Sequence, residues 1–154
     1  MNEINTHLSY KSPTIDYRLD PNDYKLDPKP FLEQVDKRIH DLCLQGNEPV
    51  HEVINHLLKA GGKRIRPTLA LISASFKSSD WEPINWENLV DAASAIEMIH
   101  MASLVHDDII DQATTRRGKE TINQKWGNLT AVLAGDYLFS SAFNLLTARK
   151  NYPV

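Results

Sequence analysis

The sequence predicts a mostly helical protein with one folded domain. Apolar residues recur three and four positions apart in successive segments, which is the spacing of a single helix face. Prolines and glycines separate these segments, and both residue types commonly mark helix ends. Of the 154 residues, 42% are hydrophobic, which is enough for a core, and this length corresponds to one domain at most.

Six helices are predicted after an extended N-terminal segment, residues 1–30, which carries four prolines and little periodicity. The helices are expected at about residues 30–44, 49–60, 64–76, 86–111, 122–126 and 129–148. Pro49 suits a first helical turn, and Gly61-Gly62 suits a helix end. Asn85 and Thr121 are the predicted N-caps of the fourth and fifth helices, because their side chains can accept from free backbone N–H groups.

The apolar stripes of these helices are expected to face the core. The run from Asp91 to Val105 should be mostly buried, and Ala113 to Glu120 is predicted to be a polar loop. In the third and last helices, the residues expected to point inward are Leu69, Leu71, Ile72, Val132, Leu133, Leu138, Phe139, Phe143, Leu145 and Leu146. Asp136 interrupts the last stripe. A buried carboxylate bonded to a neighbour is the favoured interpretation, and orientation of nearby basic residues is the alternative.

Composition narrows the class of protein. A formal net charge of −3 argues against nucleic acid as the main partner. The single cysteine, Cys43, excludes an internal disulfide framework, fits a reducing cytosol and is assigned to helix packing. An apolar run of about twenty residues is absent, so no transmembrane span is predicted, and the polar N-terminus lacks a signal-peptide core. We therefore expect a cytoplasmic protein.

Three carboxylates lie within five residues, at Asp107, Asp108 and Asp111. At 3.6 residues per turn, Asp107 and Asp111 project from one helix face about one turn apart. Like charges this close repel each other unless a cation lies between them. Oxygen ligands favour Mg²⁺, which takes one or two carboxylates and completes its octahedron with water and substrate phosphate. The motif predicts a Mg²⁺–diphosphate site, and a solvated acidic helix end is the alternative.

Two basic clusters complement the aspartates. Three cations, Lys63, Arg64 and Arg66, follow the glycine pair at the start of a helix, where free N–H groups also favour anions. Arg116-Arg117 comes just after the aspartates, and guanidinium groups match phosphate oxygens. His100 lies seven residues before Asp107, two helical turns back on the same face. For His100, a phosphate contact and a place in the core both remain open.

These motifs resemble the first half of a trans-polyprenyl diphosphate synthase, a member of the isoprenyl diphosphate synthase family. The blocks that carry the resemblance are Gly61–Pro67, Glu97–Asp111, Arg116–Gly118, Gly127-Asn128 and Ala134–Leu138. They extend from about residue 51 to about residue 146 and look most like the catalytic component of long-chain, heptaprenyl-type synthases. The resemblance implies an all-α helical bundle with a central cavity, the N-terminal portion of the isoprenoid synthase fold, over residues 31–154.

The resemblance also implies an activity, the Mg²⁺-dependent head-to-tail condensation of isopentenyl diphosphate with an allylic diphosphate. Asp107, Asp108 and Asp111 would be catalytic, with Asp107 and Asp111 as the Mg²⁺ ligands. The implied substrate-binding residues are Arg116 for the allylic diphosphate, and Lys63, Arg66, His100 and Arg117 for isopentenyl diphosphate. The expected partners are a second copy or a different subunit, with peripheral membrane contact for a long product.

Small residues at Ala102 and Ser103, just before the aspartates, favour a deep tunnel and a long product such as a quinone side chain. Close helix packing is the alternative reason for their size. The family carries a second aspartate-rich motif, and after Asp136 this sequence has no acidic residue at all. We therefore expect an N-terminal portion of a synthase, with uncovered apolar helix faces that associate.

Two other functions compete with the synthase interpretation. A non-catalytic partner would bind diphosphate, or dimerise with a full-length synthase, without turnover. A metal phosphohydrolase could be built on His106-Asp107, but the other histidines show no pattern that completes its metal shell. That second function would also leave the basic turn at residues 61–67 unexplained.

Overall fold

The computed structural model describes residues 27–43, 48–75 and 85–148. These residues form six helices and one β-hairpin: α1 Lys29–Cys43, α2 Glu48–Lys59, α3 Ile65–Ser75, α4 Trp86–Ile110, β1 Thr115–Arg116, β2 Lys119–Glu120, α5 Ile122–Trp126 and α6 Asn128–Ala148. The predicted helical fold is confirmed. Residues 1–26 of the predicted N-terminal segment, and the predicted helix ends at Leu44 and Phe76, lie outside the described residues.

Helix α4 is the centre of the fold and packs against α1, α3 and α6. Its buried side is made mainly of small and medium apolar residues, Ala93, Ala95, Met98, Ala102 and Val105. Small side chains let neighbouring helix axes approach closely, so α4 can be covered on several sides at once. The prediction that residues 91–105 would be mostly buried is confirmed.

Local sequence signals set the helix starts as predicted. The Asn85 side chain accepts a hydrogen bond from the backbone N–H of Asn88 at 3.1 Å, which caps α4. Thr121 caps α5 in the same way, with its hydroxyl accepting from the N–H of Gln124 at 3.4 Å. Both caps satisfy a backbone donor that the first helical turn leaves free.

Residues 113–120 were predicted as a polar loop, and this prediction is wrong in part. Thr115 pairs with Glu120 and Arg116 with Lys119 in an antiparallel hairpin. The two residues at its tip, Arg117 and Gly118, have φ values of 52° and 75°, which matches the twist of a tight hairpin. Two-residue strands are too short to show alternation, so the sequence carries no strand signal here.

The inward-facing predictions are correct for part of each stripe. Leu71, Leu138 and Leu145 are buried, but Leu69 is 55% exposed. Leu69 lies two positions from both Pro67 and Leu71, which are buried, so helix geometry places it on the opposite side.

Helix α6 uses small residues for its contact with α4. Ala131 and Ala142 are its fully buried alanines, and they lie on the same face of the helix as the buried Leu138. The bulky residues Leu133 and Phe143 were predicted to point inward, and they are instead 60% and 59% exposed. The close contact between the two helices selects small side chains, so the larger ones remain on the outer face.

Among the described helices, α6 also has the length and apolar composition of a membrane-crossing segment. By length and composition, α6 therefore departs from the sequence prediction that no membrane-spanning segment is present. A core helix of a soluble fold meets the same criterion, and α6 packs along α4.

Candidate functional site

The end of α4 directs its three aspartates to two different sides. Asp107 is exposed, and so is Asp111, which ends the helix with its N–H donating to the Asp107 carbonyl at 2.8 Å. Within residues 27–43, 48–75 and 85–148, neither carboxylate forms an ion pair. Asp108 is buried on the inner side. The predicted pairing of Asp107 and Asp111 on one helix turn therefore leaves both carboxylates accessible to solvent.

Asp108 forms an ion pair with Arg116. Both Nε and Nη2 of Arg116 lie 2.8 Å from Oδ1 of Asp108. Asn123 adds a hydrogen bond at 3.3 Å from its side-chain amide to the Asp108 carbonyl. The two predicted functional residues Asp108 and Arg116 are therefore partners of each other, and Asp108 holds β1 against the end of α4.

The turn between α2 and α3 contains the predicted basic cluster. Gly61 has a φ of 66° and Arg64 a φ of 49°, so the chain enters the left-handed region twice within four residues. Thr68 donates to the Arg64 carbonyl through its N–H at 3.1 Å and its hydroxyl at 2.8 Å, which begins α3. Lys63 and Arg66 are exposed on this turn.

Arg64 joins three helices through its side chain. Its Nε lies 2.6 Å from Oδ1 of Asp36 on α1, and its Nη1 lies 3.1 Å from Oε1 of Glu97 on α4. The side chains of Arg64 and Glu97 are only 12% and 6% exposed. The basic pattern of the turn groups Arg64 with the anion-binding cations, whereas its guanidinium is bound to two carboxylates. No role was predicted for Asp36 or Glu97. The positive φ and the distant partners have no local signal in the sequence.

The hairpin is tied to the end of α2 by polar contacts to backbone carbonyls. Arg117 donates to the Gly61 carbonyl and Lys119 to the Lys59 carbonyl. His56 Nε2 lies 2.7 Å from the Glu120 carbonyl. Cations near free carbonyls at a helix C-terminus are favourable, because those carbonyls carry partial negative charge.

Gly62 leaves room for the guanidinium groups. A Cβ atom at this position would lie 2.7 Å from Nη1 of Arg117 and 3.0 Å from Nη1 of Arg64. The glycine pair therefore does more than end α2. It also permits two arginines to approach the backbone of the turn.

A cleft of about 320 Å³ lies between this turn, α4 and the hairpin. Its lining residues are Gly62, Lys63, Arg64, Ile65, Arg66, Glu97, His100 and Arg117. Four of the five predicted substrate-binding residues are thus brought together from separate elements. The fifth, Arg116, lines an adjoining space of only about 40 Å³, which also borders His100, Arg117 and apolar residues of α2 and α4.

His100 borders both the cleft and the adjoining space. Burial lowers the pKa of its imidazole, the charge of Arg66 lowers it further, and Arg117 and Arg116 add to the effect, while Glu97 opposes it. The imidazole is therefore neutral near pH 7. Desolvation and nearby cations both disfavour the charged ring.

The residues present fit a Mg²⁺ ion that arrives with a phosphorylated ligand. No group of three or more His, Cys, Asp and Glu side chains is arranged to hold a metal in the part of the chain that the structure describes. Asp107 and Asp111 offer two carboxylates one helical turn apart, and Mg²⁺ commonly takes one or two protein carboxylates with water and phosphate as the other ligands. Asp107 lies two turns beyond His100, about 10 Å along the helix axis.

Asp136 does not have the predicted environment. Its side chain is 64% exposed, with Oδ1 3.7 Å from Nε2 of His106. The interpretation as a buried carboxylate is therefore wrong, and no contact joins Asp136 to the basic cleft residues among the described contacts. The neighbouring Gly135 is the buried position, because it faces α4 directly beneath the His106 ring.

Residues 47–154 match the family model of polyprenyl synthetase, and the chain belongs to that family. It is 48% identical over 103 residues to heptaprenyl diphosphate synthase component 2 of Geobacillus stearothermophilus, covering 67% of this chain and 31% of that protein. It is 39% identical over 107 residues to geranylgeranyl diphosphate synthase of Methanosarcina mazei, covering 70% and 32%. The chain spans about one third of the length of these curated relatives.

The fold matches solved structures of the same family. The crystal structure of heptaprenyl diphosphate synthase from Staphylococcus aureus superposes with a TM-score of 0.72 at 36% identity, covering 82% of this chain and 39% of the other. The resemblance drawn from the motifs and the all-α isoprenoid synthase fold are both confirmed.

Proposed function

We propose that this chain binds isopentenyl diphosphate and one side of a Mg²⁺–allylic diphosphate complex, as part of a prenyltransferase that condenses the two head-to-tail. The observation that carries the proposal is the convergence of Lys63, Arg66, His100 and Arg117 on one cleft. These residues come from the α2–α3 turn, α3, α4 and the hairpin. Cations that only solvate the protein surface would not be expected to meet in one cleft from four separate elements.

The cleft chemistry suits the diphosphate of the isopentenyl substrate. Lys63, Arg66 and Arg117 supply N–H donors and positive charge for phosphate oxygens. Lys63 and Arg66 form no ion pair among the described residues, so they are available to a ligand. A neutral His100 adds a hydrogen-bonding group to these donors.

The allylic diphosphate would lie at the end of α4. Asp107 and Asp111 would hold Mg²⁺, which neutralises the charge that builds up on a departing diphosphate. Asp108 keeps Arg116 in place through Nε and Nη2, which leaves the rest of the guanidinium able to donate to phosphate. The buried apolar side of α4 would help to exclude water from the reacting carbon.

The two small residues before the aspartates, Ala102 and Ser103, bear on the length of the product. Ala102 is fully buried in the core, which favours close packing as the reason for its size, while Ser103 remains available to a long product chain.

The name of the Geobacillus relative, component 2, describes one component of a synthase. We propose that this chain too acts with a second copy or a different subunit, and light scattering of the purified chain would measure its stoichiometry.

Titration calorimetry with isopentenyl diphosphate tests the binding proposal. Lys63→Ala and Arg66→Ala should each weaken binding by about tenfold or more, because each removes a charged phosphate contact. Lys29→Ala is the matched control, since it removes the same charge from α1 outside the cleft. Equal affinities for the wild type and both cleft variants would refute the cleft as the binding site.

A product assay separates the synthase from the non-catalytic partner. The purified chain is incubated with isopentenyl diphosphate, farnesyl diphosphate and Mg²⁺, and the extract is analysed for extended prenyl diphosphates. Product that disappears in Asp107→Ala supports turnover by this chain. Mg²⁺-dependent diphosphate binding without product supports the alternative of a diphosphate-binding partner.

A further inference from the structure

We infer that Arg64 and Glu97 are positioning residues, which set the shape and charge of the cleft without contacting the ligand themselves. The inference rests on the proposed function, because it concerns the same anion site. Its basis is the ion pair between Arg64 Nη1 and Glu97 Oε1, at 3.1 Å, on the cleft wall.

The backbone of the turn supports the positioning role. Arg64 has a φ of 49°, in the left-handed region that disfavours residues with a Cβ. Such a conformation persists where the surroundings over-determine it. Here the Arg64 carbonyl accepts two bonds from Thr68, and its side chain is bound to carboxylates on α1 and α4. These contacts hold the reversal that presents Lys63 and Arg66 to the same cleft.

The charges on the cleft wall support the same role. Glu97 is almost fully buried, and it lines a cleft whose other charged residues are cations. An unpaired carboxylate at this position would repel a diphosphate. Arg64 neutralises it at close range, so the cleft remains favourable to anions while Glu97 anchors the turn. Of the two arginines near this turn, Arg64 and Arg66, it is Arg64 whose guanidinium is bound to protein carboxylates.

Asp36 extends the same contact to α1. Its Oδ1 lies 2.6 Å from Arg64 Nε, but its side chain is half exposed, so we assign it a smaller share of the effect. Asp36 also lies before the residues that match the family model, 47–154. The support that this chain gives to its basic turn thus includes an element outside the matched region.

The direction in which one mutation changes anion affinity distinguishes a positioning role from a purely electrostatic one. Glu97→Gln removes a negative charge from the cleft wall, so a purely electrostatic role predicts tighter anion binding. A positioning role predicts weaker binding, because the uncharged amide releases Arg64 and loosens the turn. The probe is inorganic diphosphate without Mg²⁺, titrated into the full chain in a calorimeter at fixed ionic strength.

We expect Glu97→Gln to weaken diphosphate binding by about tenfold. Arg64→Asn, which tolerates the left-handed backbone but loses both ion pairs, should weaken it comparably. Asp36→Asn should have a smaller effect, about twofold to threefold. Glu33→Gln is the matched control, since it makes the same charge change on the exposed side of α1 and should leave affinity unchanged. Circular dichroism establishes that each variant retains its helices.

Hydrogen exchange gives a second measurement that does not depend on affinity. The amides of residues 62–66 should exchange faster in Glu97→Gln than in the wild type. Tighter or unchanged binding in a folded Glu97→Gln protein, with unchanged exchange at the turn, would overturn the inference. The proposed function would survive that result if Lys63→Ala and Arg66→Ala still weaken binding. Unaffected binding in those two variants would overturn both.

Discussion

Oδ1 of Asp108 accepts a hydrogen bond from Nε of Arg116 at 2.8 Å, and Nη2 of the same guanidinium lies 2.8 Å from this oxygen in an ion pair. The contact joins the last turn of α4 to the first strand of the hairpin. It also separates the roles of adjacent aspartates, because Asp107 faces solvent while the side chain of Asp108 is only 7% exposed. One carboxylate is therefore accessible to a ligand, and its neighbour is already paired with Arg116.

This division predicts opposite effects for two matched mutations. Asp108→Asn should lower the free energy of unfolding by about 2 kcal/mol, because a neutral amide cannot replace a charge-assisted contact in a buried position. Asp107→Asn should change stability by less than about 0.5 kcal/mol, as expected for an exposed residue, yet lose the Mg²⁺-dependent part of diphosphate binding. Urea denaturation and calorimetry measure the two properties separately, and a larger stability loss for Asp107→Asn would contradict the assignment.

The contact between α4 and α6 predicts a non-additive pair of mutations. A Cβ atom at Gly135 would collide with the His106 ring. Gly135→Ala should therefore destabilise the protein by about 1–3 kcal/mol through overpacking.

In a His106→Ala background the same change should be neutral or stabilising, because the space is then free and alanine is favoured over glycine in a helix by about 1 kcal/mol. Thermal unfolding of the four proteins in this cycle measures the coupling between the two positions. Equal costs of Gly135→Ala in both backgrounds would show that the ring does not limit the approach of the helices.

His100 predicts a link between diphosphate binding and proton uptake. Burial and the charge of Arg66 lower the pKa of His100 from its usual 6.5. A bound diphosphate supplies negative charge and should raise that pKa again, so the ring takes up a proton in the window between the two values. As the pH falls through this window, protonation of His100 should favour diphosphate binding by the wild type. His100→Gln lacks this contribution, so the ratio of wild-type to variant affinity should rise.

The free protein should show the opposite sign in its stability. The folded-state pKa of His100 is depressed, so below about pH 6.5 the unfolded chain holds the proton more tightly. The free energy of unfolding should then fall with decreasing pH until the folded-state pKa is passed, and His100→Gln should reduce this slope. NMR titration of the His100 ring, with and without inorganic diphosphate, tests both signs directly.

Cys43 provides a probe of global unfolding. Burial raises the pKa of its thiol to about 12, so at pH 8 only about one molecule in ten thousand carries the reactive thiolate. We expect Ellman's reagent to label the native chain slowly and the urea-unfolded chain within the mixing time. Rapid labelling under native conditions would show that the contact between α1 and its neighbours opens readily.

Several features followed from short stretches of sequence. The caps at Asn85 and Thr121 involve residues three apart in the chain, and they were predicted correctly. The helical phase of residues 91–105 was also correct, since spacing along one helix needs no knowledge of the neighbours. The motif resemblance indicated the family because its blocks are local and ordered.

Other features could not be predicted because they depend on which helix faces pack together. Spacing placed Leu133 and Phe143 in an apolar stripe, but the close approach to α4 buries alanines and leaves these two outside. Asp136 was assigned to the interior for the same reason, and it lies on that outer face. Hydrophobicity alone does not reveal that a close contact needs small residues.

The local chemistry of this chain, its helices, caps and charge clusters, was determined by sequence alone, because each depends on groups a few residues apart. Tertiary structure alone decided which charges are free and which are committed. Arg64 is bound to carboxylates 28 and 33 positions away, whereas Lys63 and Arg66 beside it face the cleft. Such a division follows from the packing of α1, α3 and α4, since only that packing brings distant acids within reach of one guanidinium.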